Sequence, residues 1–292
     1  MLLSNIKLFF TLCCFLVFGN TTMNNHQDTW HALFNGKNLD GWVTYLAKPN
    51  KNVDIKGLPR NEDGTYKKPI GVNKDPAGVF SVVMENDKPA IRISGKVFGA
   101  LTTEQTWKNF HLSLQFKWGN AKWPPREDAK RDSGILYYAF GEHGGADHSW
   151  MKSHEFQVQH GDVGDYWGVG GTAMDIPAQF SKPDSNYVYS PDAQTVSFSE
   201  GLPAGRHCIK GSDHEKPTGQ WNTLEIYCYG GTAVHVVNGE IVMVLHHSRY
   251  LHNGKYTPLT QGHLQLQSEG SEVFYRDIKI TSIDRIPDAL LH

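Results

Sequence analysis

RDSGILYYAFGEHGGADHSWMKSHEFQVQHGDVGDYWGVGG, residues 131–171, decides how this chain folds. Two strand-like runs lie inside it, Ser133 to Phe140 and Ser153 to His160, and the second alternates with period 2. Phe156 and Val158 point one way; Glu155, Gln157 and Gln159 point the other. A strand with one apolar and one polar face is half of a sandwich core. The polar face carries a carboxylate and two amides in a row, flanked by His154 and His160, with Trp150, Tyr166 and Trp167 close by. Amides and a carboxylate suit sugar hydroxyls, and rings suit the C–H faces of a pyranose. The alternative is the solvated outer face of an edge strand, which more often carries Lys, Glu and Thr.

Outward from this stretch the pattern repeats. Phe110 to Trp118 sets Phe110, Leu112, Leu114 and Phe116 against His111, Ser113, Gln115 and Lys117. Gly262 to Ser268 sets Leu264 and Leu266 against Gln265 and Gln267. Trp221 to Tyr229, Thr232 to Val237 and Ile241 to His246 read as a meander, with Asn238-Gly239 as a hairpin turn. Trp42, Trp107 and Trp221 read as core. Lys48 to Pro76 reads as an irregular insertion, Met174 to Lys210 as a loop with weak strands, and Arg249 to Pro258 as loop. Strand-like runs every eight to twelve residues, with no long amphipathic helix, predict an all-β sandwich.

The chain of 292 residues is long enough for one large β domain, and a single domain over residues 30–284 is expected. A formal charge of −2 without a basic run argues against nucleic acid as a partner. Residues 1–22 have the order of a secretory signal: Lys7, then an apolar core from Leu8 to Phe18 too short to span a membrane, then polar residues. The expected location is therefore periplasmic or extracellular, with no membrane span in the mature chain; Cys13 or Cys14 as a lipid anchor fits poorly. Beyond that segment only Cys208 and Cys228 remain, and in an oxidising compartment they form either a disulfide or two buried thiols.

Five pieces, in order, resemble one family: LFNGKNLDGW (33–42), RDSGILYY (131–138), SHEFQVQHGDVGDYWGVGG (153–171), GQWNTLEIYCYGGTAVHVVNGE (219–240) and GHLQLQSEGSEVFYRDIKI (262–280). They are similar to the 3-keto-disaccharide hydrolases. That resemblance implies a jelly roll of the concanavalin A-like lectin/glucanase type and an exported enzyme acting on glycosides oxidised at C3. Many members have His-Gly after the last Leu-Gln pair; here the chain reads Ser268-Glu269-Gly270, so no role of that His carries over.

Glu155 matches the family's acidic strand residue and is the candidate base, with His160 second. Arg131 is a candidate for polarising a ketone, or a structural ion-pair residue. Gln157, Gln159, Gln267, Glu269, Tyr137, Trp150, Trp167 and His154 are candidate substrate contacts. Asp162 and Asp165 are oxygen ligands for a possible divalent cation, or an ordinary turn, and the histidines at 143, 148, 154 and 160 are a second possible metal cluster. Glucanases of similar fold carry Glu-x-Asp-x-x-Glu on one strand. Here that strand reads Glu155-Phe156-Gln157-Val158-Gln159-His160, so the two-carboxylate route lacks its partners. The expectation is a 3-keto-glycoside cleaved by C2 proton removal, elimination and hydration. The alternatives are a lectin-like binding sandwich and a conventional glycosidase, and the partner in each case is an oligosaccharide or glycoside.

Overall fold

The computed structural model describes residues 29–291; the signal segment and Cys13 and Cys14 lie outside the described residues. Two antiparallel sheets face each other across one main core, and the only helical element described is a 3-10 turn at Asp288–Leu290. The chain is the all-β sandwich that alternation implied, of the jelly-roll type that the resemblance implied.

The first sheet runs in the order His207–Cys208, Tyr166–Val169, Lys152–Gln159, Asp132–Phe140, Gln261–Ser268, Gly99–Thr103, Trp42–Leu46, Gly71–Val72. The second has Phe110–Lys122 at its centre, between Asn222–Tyr229 and Ser271–Ser282. Phe110, Leu112, Leu114 and Phe116 are buried, and they meet Phe156 and Val158 from the first sheet. Each such side chain contributes about 1.5–3 kcal/mol on burial. Asn238 and Gly239 both have positive φ, 53° and 91°, the turn geometry that matches strand twist in a two-residue hairpin.

Polar groups also cross the core. His154 Nε2 lies 2.8 Å from Ser248 Oγ, the Tyr137 hydroxyl 3.1 Å from His235 Nε2, and Ser133 Oγ 2.8 Å from the Tyr275 hydroxyl. These pairs tie the sheets together at fixed points. Burial holds His154 and His235 neutral, with pKa values pushed down to about 3 and about 4.

Several local expectations are corrected. Cys208 and Cys228 are free, buried thiols, not a disulfide. The 174–210 region contains a ten-residue strand, Thr172–Ser181, paired on both sides. Residues 249–258 are not a loop: Glu240–His252 pairs with Lys255–Pro258 as a hairpin. Trp221 is half-buried under Arg276, whose guanidinium lies 3.8 Å from the ring centre, rather than in the core. The insertion after residue 48 is irregular but organised: Val53, Ile55, Tyr66 and Ile70 join the core. Arg60 donates to the carbonyls of Lys51, Val53 and Gly64.

Candidate active site

Strand parity builds the site. With Phe156 and Val158 committed to the core, Glu155, Gln157 and Gln159 project from the outer face of the first sheet. Register sets Glu155 opposite Leu136 and Gln157 opposite Gly134 on the neighbouring strand. On the far side of that strand Leu266 pairs with Ile135, so one residue further Gln267 comes beside Gly134. Glu155 and Gln267 reach towards each other over this glycine. A Cβ at Gly134 would lie 2.3 Å from Gln267 Oε1 and 2.4 Å from Glu155 Oε1, so the absence of a side chain there is what lets the two groups converge.

Around this point is a cleft of about 220 Å³. Its floor holds Glu155, Gln157, Gln159, Asp132 and Gln267. Its walls are Trp150 and Trp167 with Asp147 and Arg206 on one side, and Arg126 and Glu269 on the other. Trp150 is fixed by a bond from Nε1 to the Gly99 carbonyl, 3.2 Å, and Trp167 by stacking on His207 with ring centres 4.2 Å apart. Gln265, although it shares the alternation of Gln267, is structural: it donates to Thr102 Oγ1 at 2.8 Å and accepts from the Met151 amide at 3.1 Å. Glycine again permits a close approach at Gly270 (φ +79°), where a Cβ would meet Arg126 Cβ at 2.9 Å.

The electrostatics are unusual. Arg126 pairs with Asp132, and Gln159 donates to the same carboxylate at 2.5 Å. Burial raises the Asp132 pKa to about 7 even against Arg126. Burial, then the Asp132 charge, raises Glu155 to about 8, with Arg206 opposing. Glu269 is held well above the usual carboxylate range, first by burial, then by Asp132 and Glu155. Five buried polar atoms around the cleft have no partner within the protein: Gln157 Oε1, both amide atoms of Gln267, Asp132 Oδ1 and Arg126 Nε. Buried polar groups are nearly always satisfied, so this concentration marks a surface arranged for the polar groups of a ligand.

The structure sorts the remaining candidates. His160 is exposed, at the strand end, and does not line the cleft. Arg131 turns away, donating to the Gly119 carbonyl at 3.2 Å; Arg126 occupies the position expected of it. His154 and Tyr137 are core residues facing the other sheet, as is Tyr166, whose hydroxyl lies 3.0 Å from His154 Nδ1. Asp162 is engaged by Lys130, and Asp165 by His207 Nε2 and the Lys210 amide, so the two do not form an oxygen cage. Among the described residues no three His, Cys, Asp or Glu side chains are grouped to hold a metal ion. Four residues were missed. Asp132 had a signal, since it shares parity with Gly134 and Leu136 while Arg131 does not. Arg126, Asp147 and Arg206 come from loops and had none.

Residues 29–281 match the 3-keto-alpha-glucoside-1,2-lyase-like domain. The chain belongs to that family. Its members are glycosyl hydrolase-like, carbohydrate-active proteins, and a cleft of amides, rings and carboxyls fits that class. No curated relative matches the sequence significantly. Among solved structures, a "Putative glycosyl hydrolase" from Parabacteroides distasonis ATCC 8503 shares 18% identity over 88% of this chain and 100% of its own, with a TM-score of 0.47. The CBM66 carbohydrate-binding module from Bacillus subtilis shares 7% over 70% of this chain and 92% of its own, TM-score 0.40. Bacillus licheniformis β-glucanase shares 10% over 88% and 98%, TM-score 0.37. At these identities the likeness concerns the fold alone.

Proposed function

We propose that this protein is an exported enzyme that cleaves 3-keto-glycosides by elimination followed by hydration. The observation that carries the reading is Glu155 itself: a buried carboxyl with raised proton affinity, in a sugar-sized cleft, beside amide and guanidinium groups with unused hydrogen-bonding capacity. A ketone at C3 acidifies the C2 proton, so one positioned base suffices to remove it. Arg126 is a donor suited to the enolate oxygen. Loss of the C1 substituent gives an enone, and water adding to it gives the free 3-keto sugar. Trp150 and Trp167 supply ring faces for the pyranose.

The test is a paired assay of a glucoside and its 3-keto derivative, each also deuterated at C2. The expected outcome is turnover of the 3-keto compound alone, with slower release from the deuterated form. Equal turnover of both sugars would instead favour conventional two-carboxylate hydrolysis. One observation favours that second reading: the strand of Glu155 lacks partner acids, but the tertiary structure brings Asp132, from the neighbouring strand, and Glu269, just past the end of Gln261–Ser268, to the same cleft. Binding without turnover of either compound would leave a lectin-like module. Export rests on the order of the first 22 residues. N-terminal sequencing of protein from its native host is expected to begin after that segment; a Met1 start would contradict it.

A further inference from the structure

We propose that Glu269 is the proton donor of this site: it protonates the C1 oxygen as it departs from a 3-keto-glycoside and takes a proton back from the water that adds at C1. The assignment rests on the lyase reading above and adds a second group to it.

Glu269 follows the strand Gln261–Ser268, two residues after Gln267, and lines the same cleft as Glu155. Its side chain is 15% exposed, enough to reach the cleft without facing bulk water. Asp132 is occupied, by Arg126 and by Gln159; Glu269 is not. Its nearest charged contact, Oε1 to Arg126 Nη1 at 3.7 Å, is too long for a hydrogen bond. Arg206, the other guanidinium of the cleft, is engaged by Asp147 and Glu200. Three carboxyls therefore share a buried region in which Arg126 is bonded to only one of them. They cannot all ionise together, because like charges at close range raise one another's proton affinity. Burial, then the Asp132 and Glu155 charges, holds Glu269 well above the usual carboxylate range, and burial with the Asp132 charge raises Glu155 to about 8, so the ionisation of one opposes that of the other. A site in which one of two neighbouring carboxyls stays protonated while the other is ionised holds an acid and a base together, and Glu155 on the sheet floor with Glu269 at the cleft wall are placed for the two roles.

The protons balance over the cycle. The Glu155 carboxylate takes the C2 proton and the electron pair forms the enolate, which collapses to the C1=C2 double bond. The C1–O bond breaks, and the departing oxygen leaves as an alcohol with the Glu269 proton. The site then holds neutral Glu155 and ionised Glu269. Water entering where the alcohol left gives its oxygen to C1 and a proton to Glu269, and Glu155 returns its proton to C2. Both residues end as they began.

The experiment compares the methyl and 4-nitrophenyl 3-keto-glucosides of one anomer, with wild type and Glu269→Gln. Nitrophenolate leaves without help; methoxide does not. The expected result is that Glu269→Gln slows the methyl compound at least about 10²-fold more than the nitrophenyl one. The enone should also accumulate in the variant, seen by its ultraviolet absorbance, since water has lost its base. Equal losses on both substrates, or no loss, would overturn the assignment. Wild type gives a readout that does not depend on the variant folding: its two rates should agree within about tenfold, and a steep dependence on leaving group would count against an internal acid. If wild type cleaves neither 3-keto compound, the lyase reading itself fails and Glu269 loses its role with it; if wild type cleaves both but the leaving-group pattern is absent, only the present inference fails.

Discussion

Glu155 carries the largest consequence of any single side chain. Its neutral form is favoured by burial, so Glu155→Gln preserves shape and hydrogen bonding while removing the base. We expect kcat/KM on a 3-keto-glucoside to fall about 10²–10⁴-fold with an unchanged circular dichroism spectrum. In wild type, kcat/KM should rise with pH up to about 8, the value to which burial and Asp132 push Glu155, because only the ionised form accepts the C2 proton. Asp132→Asn removes the charge that opposes that ionisation, so the rising limb should move to lower pH. A limb unmoved in Asp132→Asn, or unchanged activity in Glu155→Gln, would place the base elsewhere.

At the scale of elements, the site is a matter of register and parity. Glu155, Gln157 and Gln159 share a face because strand side chains alternate, and that was readable from the alternation with Phe156 and Val158. His154, Tyr137 and Tyr166 failed as candidates for the same reason: they have core parity and bond within the core or across it to the other sheet. Gly134 is the position where three strands meet under the site. In Gly134→Ala the new methyl would collide with the ends of Glu155 and Gln267, which can swing aside, and not with backbone. The strand should therefore persist while the carboxyl is displaced. A shift of about 1 Å costs about 10²-fold in rate, so kcat/KM should drop by that order with little change in melting temperature. Full activity in Gly134→Ala would show that the convergence of Glu155 and Gln267 is not needed.

At the scale of the whole molecule, buried titrating groups set how stability depends on pH. Asp132, Glu155 and Glu269 have raised pKa values, so each contributes stability that is complete below its unfolded value and is lost as pH rises through its folded one. His154 and His235 have depressed values and act oppositely, adding stability as pH rises towards about 6.5, their unfolded pKa. Between about pH 5 and 6.5 the two sets oppose each other; above that, only the carboxyls remain in play. Denaturant midpoints should thus decline slowly between about pH 5 and 6.5, where two histidines offset part of the loss from three carboxyls, and more steeply from there to about pH 8, by at most about 1.4 kcal/mol per pH unit for each carboxyl still protonated. Glu155→Gln should flatten the decline. A midpoint that rises over the upper interval would contradict the buried-acid arrangement.

Alternation at 110–118, 153–160 and 262–268, with the turn at 238–239, determined the sandwich, because a two-residue period dictates which side chains must be buried whatever the partner strand. It also determined that Glu155 and Gln157 lie on the face left free of the core. The order of five motifs determined the family. Only the tertiary structure decided what surrounds that face. Arg126, Asp147 and Arg206 sit on loops whose approach depends on distant contacts, such as Gly270 beneath Arg126. Asp132 comes from the neighbouring strand and Glu269 from just past the end of Gln261–Ser268, so a reading of the Glu155 strand alone brings neither to it. The insertion after residue 48 hid its order for the same reason: Arg60 organises it through backbone carbonyls, which leave no periodic trace. Burial completes the distinction. A glutamate reads the same in sequence whether exposed or enclosed, and enclosure beside two other carboxyls is what raises the proton affinity of both Glu155 and Glu269.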